Sequence, residues 1–139
     1  MKFQYRKFNK KNKIKRVFSN KRWQLCQLYS YKTELNPKRS VSINGYITLE
    51  CNGILFMEMG YVWDGASGAL DTKNVRRASV VHDALCQLIE AKKLTLKDRK
   101  YIDEVYRDIC LEDGMSKLRA NIQFWFIRKY VQYRYGKDW

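Results

Sequence analysis

His82 is the only histidine among the 139 residues of the chain, and Asp83 follows it directly, with Asp103 twenty-one positions further on. A neutral imidazole can take a proton from water near neutral pH. It needs a carboxylate on its other nitrogen to fix the tautomer and stabilise the charged ring. Asp103 is a candidate for that role. His82 lies in a stretch of helical periodicity, Val75–Ala91, and Asp103 in a second one, Leu96–Glu112, separated by Lys92-Lys93-Leu94-Thr95. An antiparallel fold-back centred near residue 93 brings the imidazole and the carboxylate level with each other. The competing explanation is structural, since an Asp–His pair between two helices also serves as a buried strut.

Asp83 points about 100° away from His82 around the helix. It is expected to face the segment Gly60-Tyr61-Val62-Trp63-Asp64-Gly65-Ala66-Ser67-Gly68-Ala69, which leaves a strand and turns through three glycines. Asp83, Asp64 and the backbone at Gly65 would make an oxygen-rich site suited to calcium or magnesium, with no organic cofactor. A cation there polarises an ester or phosphate oxygen while His82 activates water. Asp64-Gly65 also reads as a plain turn. Ser67 lacks the G-x-S-x-G elbow of a nucleophilic serine. Cys86, one helical turn from His82, shares a face with Leu85 and Ile89 and reads as a packed thiol.

The elements that must position these groups divide into two halves. Trp23, Leu25, Tyr29, Tyr31 and Leu35 alternate with more polar neighbours, as in a half-buried strand, until Asn36-Pro37-Lys38 breaks the run. Asn44-Gly45 is a turn candidate. Tyr46–Cys51 and Ile54–Met59 flank Asn52-Gly53, which predicts a type I′ hairpin. Beyond the glycine segment, Val75, Ala78, Val81, Ala84, Leu85, Leu88 and Ile89 recur at helical spacing, with Asp71, Thr72 or Asn74 as cap. Thr95 and Asp98 cap the second helix, and Gly114 ends it. Ser116 opens a third through Leu118, Ile122, Trp125, Phe126 and Tyr130, with the last three read as core; Arg128, Lys129 and Arg134 read as its solvated face. The expected fold class is α+β, a small antiparallel sheet from the N-terminal half packed against a three-helix C-terminal half. Residues 23–139 are expected to form a single domain.

Residues 1–22 hold ten Lys and Arg and no acid, within a formal net charge of +14. Lys7, Lys10, Lys11, Lys13, Lys15 and Arg16 form the densest part of this basic arm, which calls for an anionic partner: nucleic acid, anionic lipid or an acidic face of another protein. Neutralising about six phosphates corresponds to a log–log salt slope of roughly −5. A passive solubilising tail is the plainer alternative, although Phe3, Tyr5, Phe8, Ile14, Val17 and Phe18 interleave with the charges. The start lacks the apolar core of a secretory signal, and no run reaches the roughly eighteen apolar residues of a membrane span. The expected location is therefore cytosolic, without secretion. Cys26, Cys51, Cys86 and Cys110 form no C-x-x-C pair, which predicts reduced, mostly buried thiols and disfavours zinc.

Gly60-Tyr61-Val62-Trp63-Asp64-Gly65-Ala66-Ser67, Val81-His82-Asp83-Ala84-Leu85, Asp103 and Arg134-Tyr135-Gly136 together resemble a phage and prophage family known as domain of unknown function 1353, over about residues 45–139. The resemblance implies a bacteriophage or prophage origin and no particular activity. A looser likeness is to phospholipases A2, whose paired helices carry a His-Asp and then an Asp with an aromatic residue three positions on. That likeness implies His82 as general base, Asp103 as its orienting acid, calcium at Asp83 and the glycine loop, and Tyr106 as a supporting aromatic; Trp63 and Ser67 of the loop are further supporting candidates. The flanking cysteines of those enzymes are missing here, Cys86 replaces their usual tyrosine, and the loop differs from theirs.

Two functions are expected from these features. One is a small hydrolase of a lipid or other ester, built on His82–Asp103 and a divalent cation. The other is a non-enzymatic virion or accessory protein whose arm binds nucleic acid or an acidic protein partner. Inhibition of a host factor is a third reading, which the residues neither favour nor oppose.

Overall fold

A computed structural model describes residues 2–8, 23–65 and 72–138. The chain divides into two compact units, Met1–Gly65 and Ala66–Trp139. The first is all β and the second all α, so the fold is α+β.

The first unit contains two antiparallel sheets. One has the order β1 (Tyr5–Lys7), β2 (Trp23–Leu25), β7 (Val62–Trp63). The other has the order β3 (Tyr29–Lys32), β6 (Ile54–Met57), β5 (Ile47–Leu49), β4 (Val41–Ile43). The run Trp23–Leu35, expected as one strand, is thus split between the sheets. Trp23 pairs with Trp63, whereas Tyr29 pairs with Met57. The buried residues Trp23, Leu25 and Tyr29 keep the same parity across the break, so alternation alone does not register the change of partner. Trp63 lies fully buried beside Phe3, Tyr5 and Tyr61, and the Tyr61 ring is parallel to it within 7°. Phe3 and Tyr5 are half-buried and pack on the core of this unit, and the described start of the basic arm is an edge strand. Lys7 is exposed on that strand, while Lys10, Lys11, Lys13, Lys15 and Arg16 lie outside the described residues.

Both expected turns exist, but the type I′ turn expected at Asn52-Gly53 is found at Asn44-Gly45 instead. Asn44 and Gly45 have φ of 52° and 69°, and Tyr46 N–H donates to the Ile43 carbonyl at 3.1 Å, the two-residue turn of a right-twisted hairpin. At the β5–β6 hairpin only Gly53 has positive φ, 85°. Gly53 N–H donates to the Glu50 carbonyl, and Glu50 N–H to that of Ile54, each at 2.9 Å; this is a type I turn closed by a glycine bulge. A Cβ on Gly53 would stand 2.5 Å from the Thr33 carbonyl oxygen, so close approach as well as φ requires glycine there.

In the second unit α1 (Lys73–Glu90), α2 (Arg99–Glu112) and α3 (Lys117–Tyr135) follow one another, with α2 packed against both of the others. Thr72 is the N-cap residue of α1, without a side-chain cap bond. A left-handed Lys92 and the bond from Lys93 N–H to the Leu88 carbonyl close the C-terminus of α1. Thr95 and Asp98 exchange capping bonds before α2, and Ser116 Oγ accepts from Arg119 N–H at the start of α3. Trp125, Phe126 and Tyr130, expected in the core, are exposed instead. It is Ala120 and Val131 on the other side of α3 that are buried.

Candidate functional site

The α1–α2 hairpin brings His82 and Asp103 together as the fold-back predicts. His82 Nε2 lies 2.7 Å from Asp103 Oδ1. Asp103 is fully buried, and it is shared more widely than the spacing indicates. Arg99 Nε, one turn earlier on α2, donates to the same Oδ1 at 2.9 Å, and Arg128 Nη1 on α3 donates to Oδ2 at 2.8 Å. One carboxylate thus holds a cationic or cation-forming group from each of the three helices, all of them close to shielded from solvent.

The electrostatics follow from this arrangement. Burial would push the Asp103 carboxyl up, but the hydrogen bond and charge of His82 and the two guanidiniums hold it below the ordinary carboxylate range. For His82, burial disfavours the charged ring. The Cys86 sulfur on one side and the Asp103 carboxylate on the other outweigh that and raise its pKa to about 10. The raised pKa favours the imidazolium, which donates to Asp103.

Cys86 Sγ lies 3.7 Å from His82 Nδ1 and 3.9 Å from Nε2. Near-equal distances to both nitrogens do not align the sulfur with one N–H, which fits the packed thiol expected there. Tyr106 meets the imidazole edge-on, with centroids 5.4 Å apart, and donates its hydroxyl to Gln123 Oε1 at 3.0 Å. Burial pushes that hydroxyl well above its ordinary pKa and the neighbouring Cys110 thiol up to about 12. Cys110 is buried as expected, but Cys51 is exposed and Cys26 and Cys86 are half-buried; all four are free thiols.

The remaining candidate residues are distributed as follows. Asp83 is half-buried on α1, in the second unit. Asp64 and Gly65 end the first unit just after β7, with Gly65 at φ 82°, and Ser67 lies outside the described residues. Among the described residues, no three His, Cys, Asp or Glu side chains are gathered as a metal ion would require. A cleft of about 530 Å³ lies at the start of α1, lined by Thr72, Lys73, Asn74, Asp113 and Arg119. It sits roughly two and a half helical turns from His82.

Arg99 and Arg128 are the site residues that sequence reasoning missed. Arg99 stands four positions before Asp103, the spacing of an ion pair on one helix face. Arg128, read as solvated surface, is a correction. Applied to the turn at Gly114–Ser116, the fold-back reasoning used for His82 also sets Arg128 level with Asp103. A cation level with a buried acid has reason to turn inward.

This geometry predicts that Asp103→Asn destabilises the protein by about 3–5 kcal/mol, because it leaves two nearly buried guanidiniums without a counter-charge. His82→Gln costs about 1.5–3 kcal/mol at neutral pH, the value of one charge-assisted hydrogen bond. Because the His82 pKa is raised from 6.5 to about 10, its contribution is complete below pH 6.5 and is lost as pH climbs through 10. The Asp103 contribution, from a depressed pKa, is present above 3.8 and lost on acidification below it. Thermal midpoints of the wild type and of His82→Gln should therefore converge as pH rises from 6.5 to 10. A constant difference across that range contradicts the assignment.

No curated protein and no solved structure matches the chain. The family described as protein of unknown function (DUF1353) matches residues 23–127. The match includes β2, β3 and β4, which precede the resembling segment at about residues 45–139, and stops before Arg134-Tyr135-Gly136. It spans both units, and the chain belongs to that family.

Proposed function

We propose that this chain is a non-enzymatic accessory protein of phage type, whose basic N-terminal segment binds a polyanion, with nucleic acid as the best match. The observation that carries this reading is the state of Asp103. Its two oxygens are taken by His82, Arg99 and Arg128, so the pair best suited to general-base chemistry serves as a three-way fastener. What remains to account for is charge: ten cations and no acid in residues 1–22, within a net +14. Clustered lysines of this kind bind phosphates by releasing condensed counterions.

Charge reversal tests this better than deletion, because Phe3 and Tyr5 pack on the β core and removing them would disturb the fold. The protein is expected to bind duplex DNA with a log–log salt slope near −5. Replacing Lys10, Lys11, Lys13 and Lys15 together by Glu should flatten that slope by about four. Binding that ignores salt, or a slope that survives the four substitutions, contradicts the proposal.

One observation favours the hydrolase reading: the 2.7 Å contact between His82 and Asp103, with 13% of the His82 side chain still reached by solvent. In that reading a calcium or magnesium ion is held by Asp83 with Asp64 and the Gly65 backbone, and a lipid or other ester is the substrate. The two readings part on calcium. A fastener leaves the thermal midpoint flat as calcium is added and gives no His82-dependent ester hydrolysis. A calcium-induced rise that Asp83→Asn abolishes, together with hydrolysis lost in His82→Ala, would establish the enzyme instead.

A further inference from the structure

Helix α3 is apolar on two opposite sides. Its inner side is held to α2 through the buried Ala120 and Val131, the Tyr106–Gln123 bond and the Arg128–Asp103 pair. Its outer side carries Leu118, Ile122, Trp125, Phe126, Tyr130 and Tyr133, all exposed, with Leu118 at 73% and Tyr133 at 89%. At 3.6 residues per turn these six fall within an arc of roughly 140°. A helix with apolar groups all round is normally buried all round, so the outer side lacks a cover among the described residues.

The charges around this stripe indicate what covers it. From Lys117 to Lys137 the chain has Lys117, Arg119, Arg128, Lys129, Arg134 and Lys137 and not one acid. Lys129 lies within the stripe itself, its Nζ 5.7 Å from the centre of the Trp125 ring. A second copy of the chain docking about a two-fold axis would bring two such lysines into one apolar seam, which like-charge repulsion opposes. A single-stranded nucleic acid would stack on the aromatic rings, but Leu118 and Ile122 offer it no π-face. An anionic lipid interface accommodates every member: aliphatic and aromatic groups enter the acyl boundary, and lysines reach back to the headgroups. No helix among the described residues is long and apolar enough to cross a membrane, so the contact is one of lying on the surface.

We infer that the outer face of α3 is a docking surface for anionic membrane lipid. Roughly 28 Å of helix would lie in the plane of the headgroups, with Trp125 and Phe126 inserted and Lys129 and Arg134 on phosphates. The inference is separate from the polyanion role of the N-terminal segment, and the two fail independently. One depends on lysines 10–15 and duplex DNA, the other on two aromatic side chains and a bilayer.

The test uses the full chain with sucrose-loaded vesicles of phosphatidylglycerol and phosphatidylcholine in equal parts, compared with phosphatidylcholine alone. The wild type should sediment with the anionic vesicles, and Trp125→Ser/Phe126→Ser should lower its partition coefficient by about tenfold or more. The thermal midpoint should stay unchanged, because both side chains are already exposed. Equal partitioning of the two proteins would assign the attachment to basic residues elsewhere and overturn the inference, as would failure of the wild type to bind. Loss of oligothymidine binding or of a solution dimer on the same substitution, with vesicle binding intact, would give the face to nucleic acid or to a second copy and overturn it equally.

Discussion

Asp103 is a carboxylate removed from water in a unit of three helices, and every other feature of that unit is compatible with keeping it charged. An isolated buried carboxylate is so unfavourable that it would neutralise or draw in solvent. Here His82, Arg99 and Arg128 each supply a short hydrogen bond, one from each helix. Such a cluster need not add much net stability, since desolvating four groups offsets most of the attraction. Its strength lies in selectivity: a shift of any helix by one residue would leave a buried charge unmatched. The register of α1, α2 and α3 is thus tied to one side chain.

The same constraint alters the chemistry that His82 can perform. A base must release its proton within the working pH range, and the raised pKa of His82 counts against that role in the reading proposed above. The carboxylate that orients a catalytic histidine and the one that locks a structural histidine are the same residue type at the same distance. In this chain the carboxylate also accepts from two guanidiniums, Arg99 and Arg128.

Much of this was legible in the residues before any coordinates. The helix boundaries, the α+β division and the approach of His82 to Asp103 follow from periodicity and one short turn. Arg128 was missed because an arginine between aromatics looks like surface until α3 is folded back on α2. Asn44-Gly45 and Asn52-Gly53 are both hairpin signals, and dipeptide identity cannot tell a two-residue turn from one closed by a bulge. The division of residues 23–35 between two sheets left no trace, because side-chain parity runs unbroken while the partner strand changes. Trp125, Phe126 and Tyr130 were misplaced for a related reason. A helix with two apolar sides offers no polar face by which to tell inside from outside, so aromatic content alone pointed inward. The outcome links sequence to surface: the residues that could not be assigned to the core are those that give α3 its outer face.

The account rests on His82 being a charged donor to Asp103, and nitrogen NMR of the imidazole tests that most directly, because the chain has a single histidine and the signals need no assignment. The account predicts a doubly protonated ring throughout the neutral range, losing its proton near pH 10. A midpoint at or below 6.5, with one ring nitrogen unprotonated at neutral pH, would contradict it and return His82 to the role of a base.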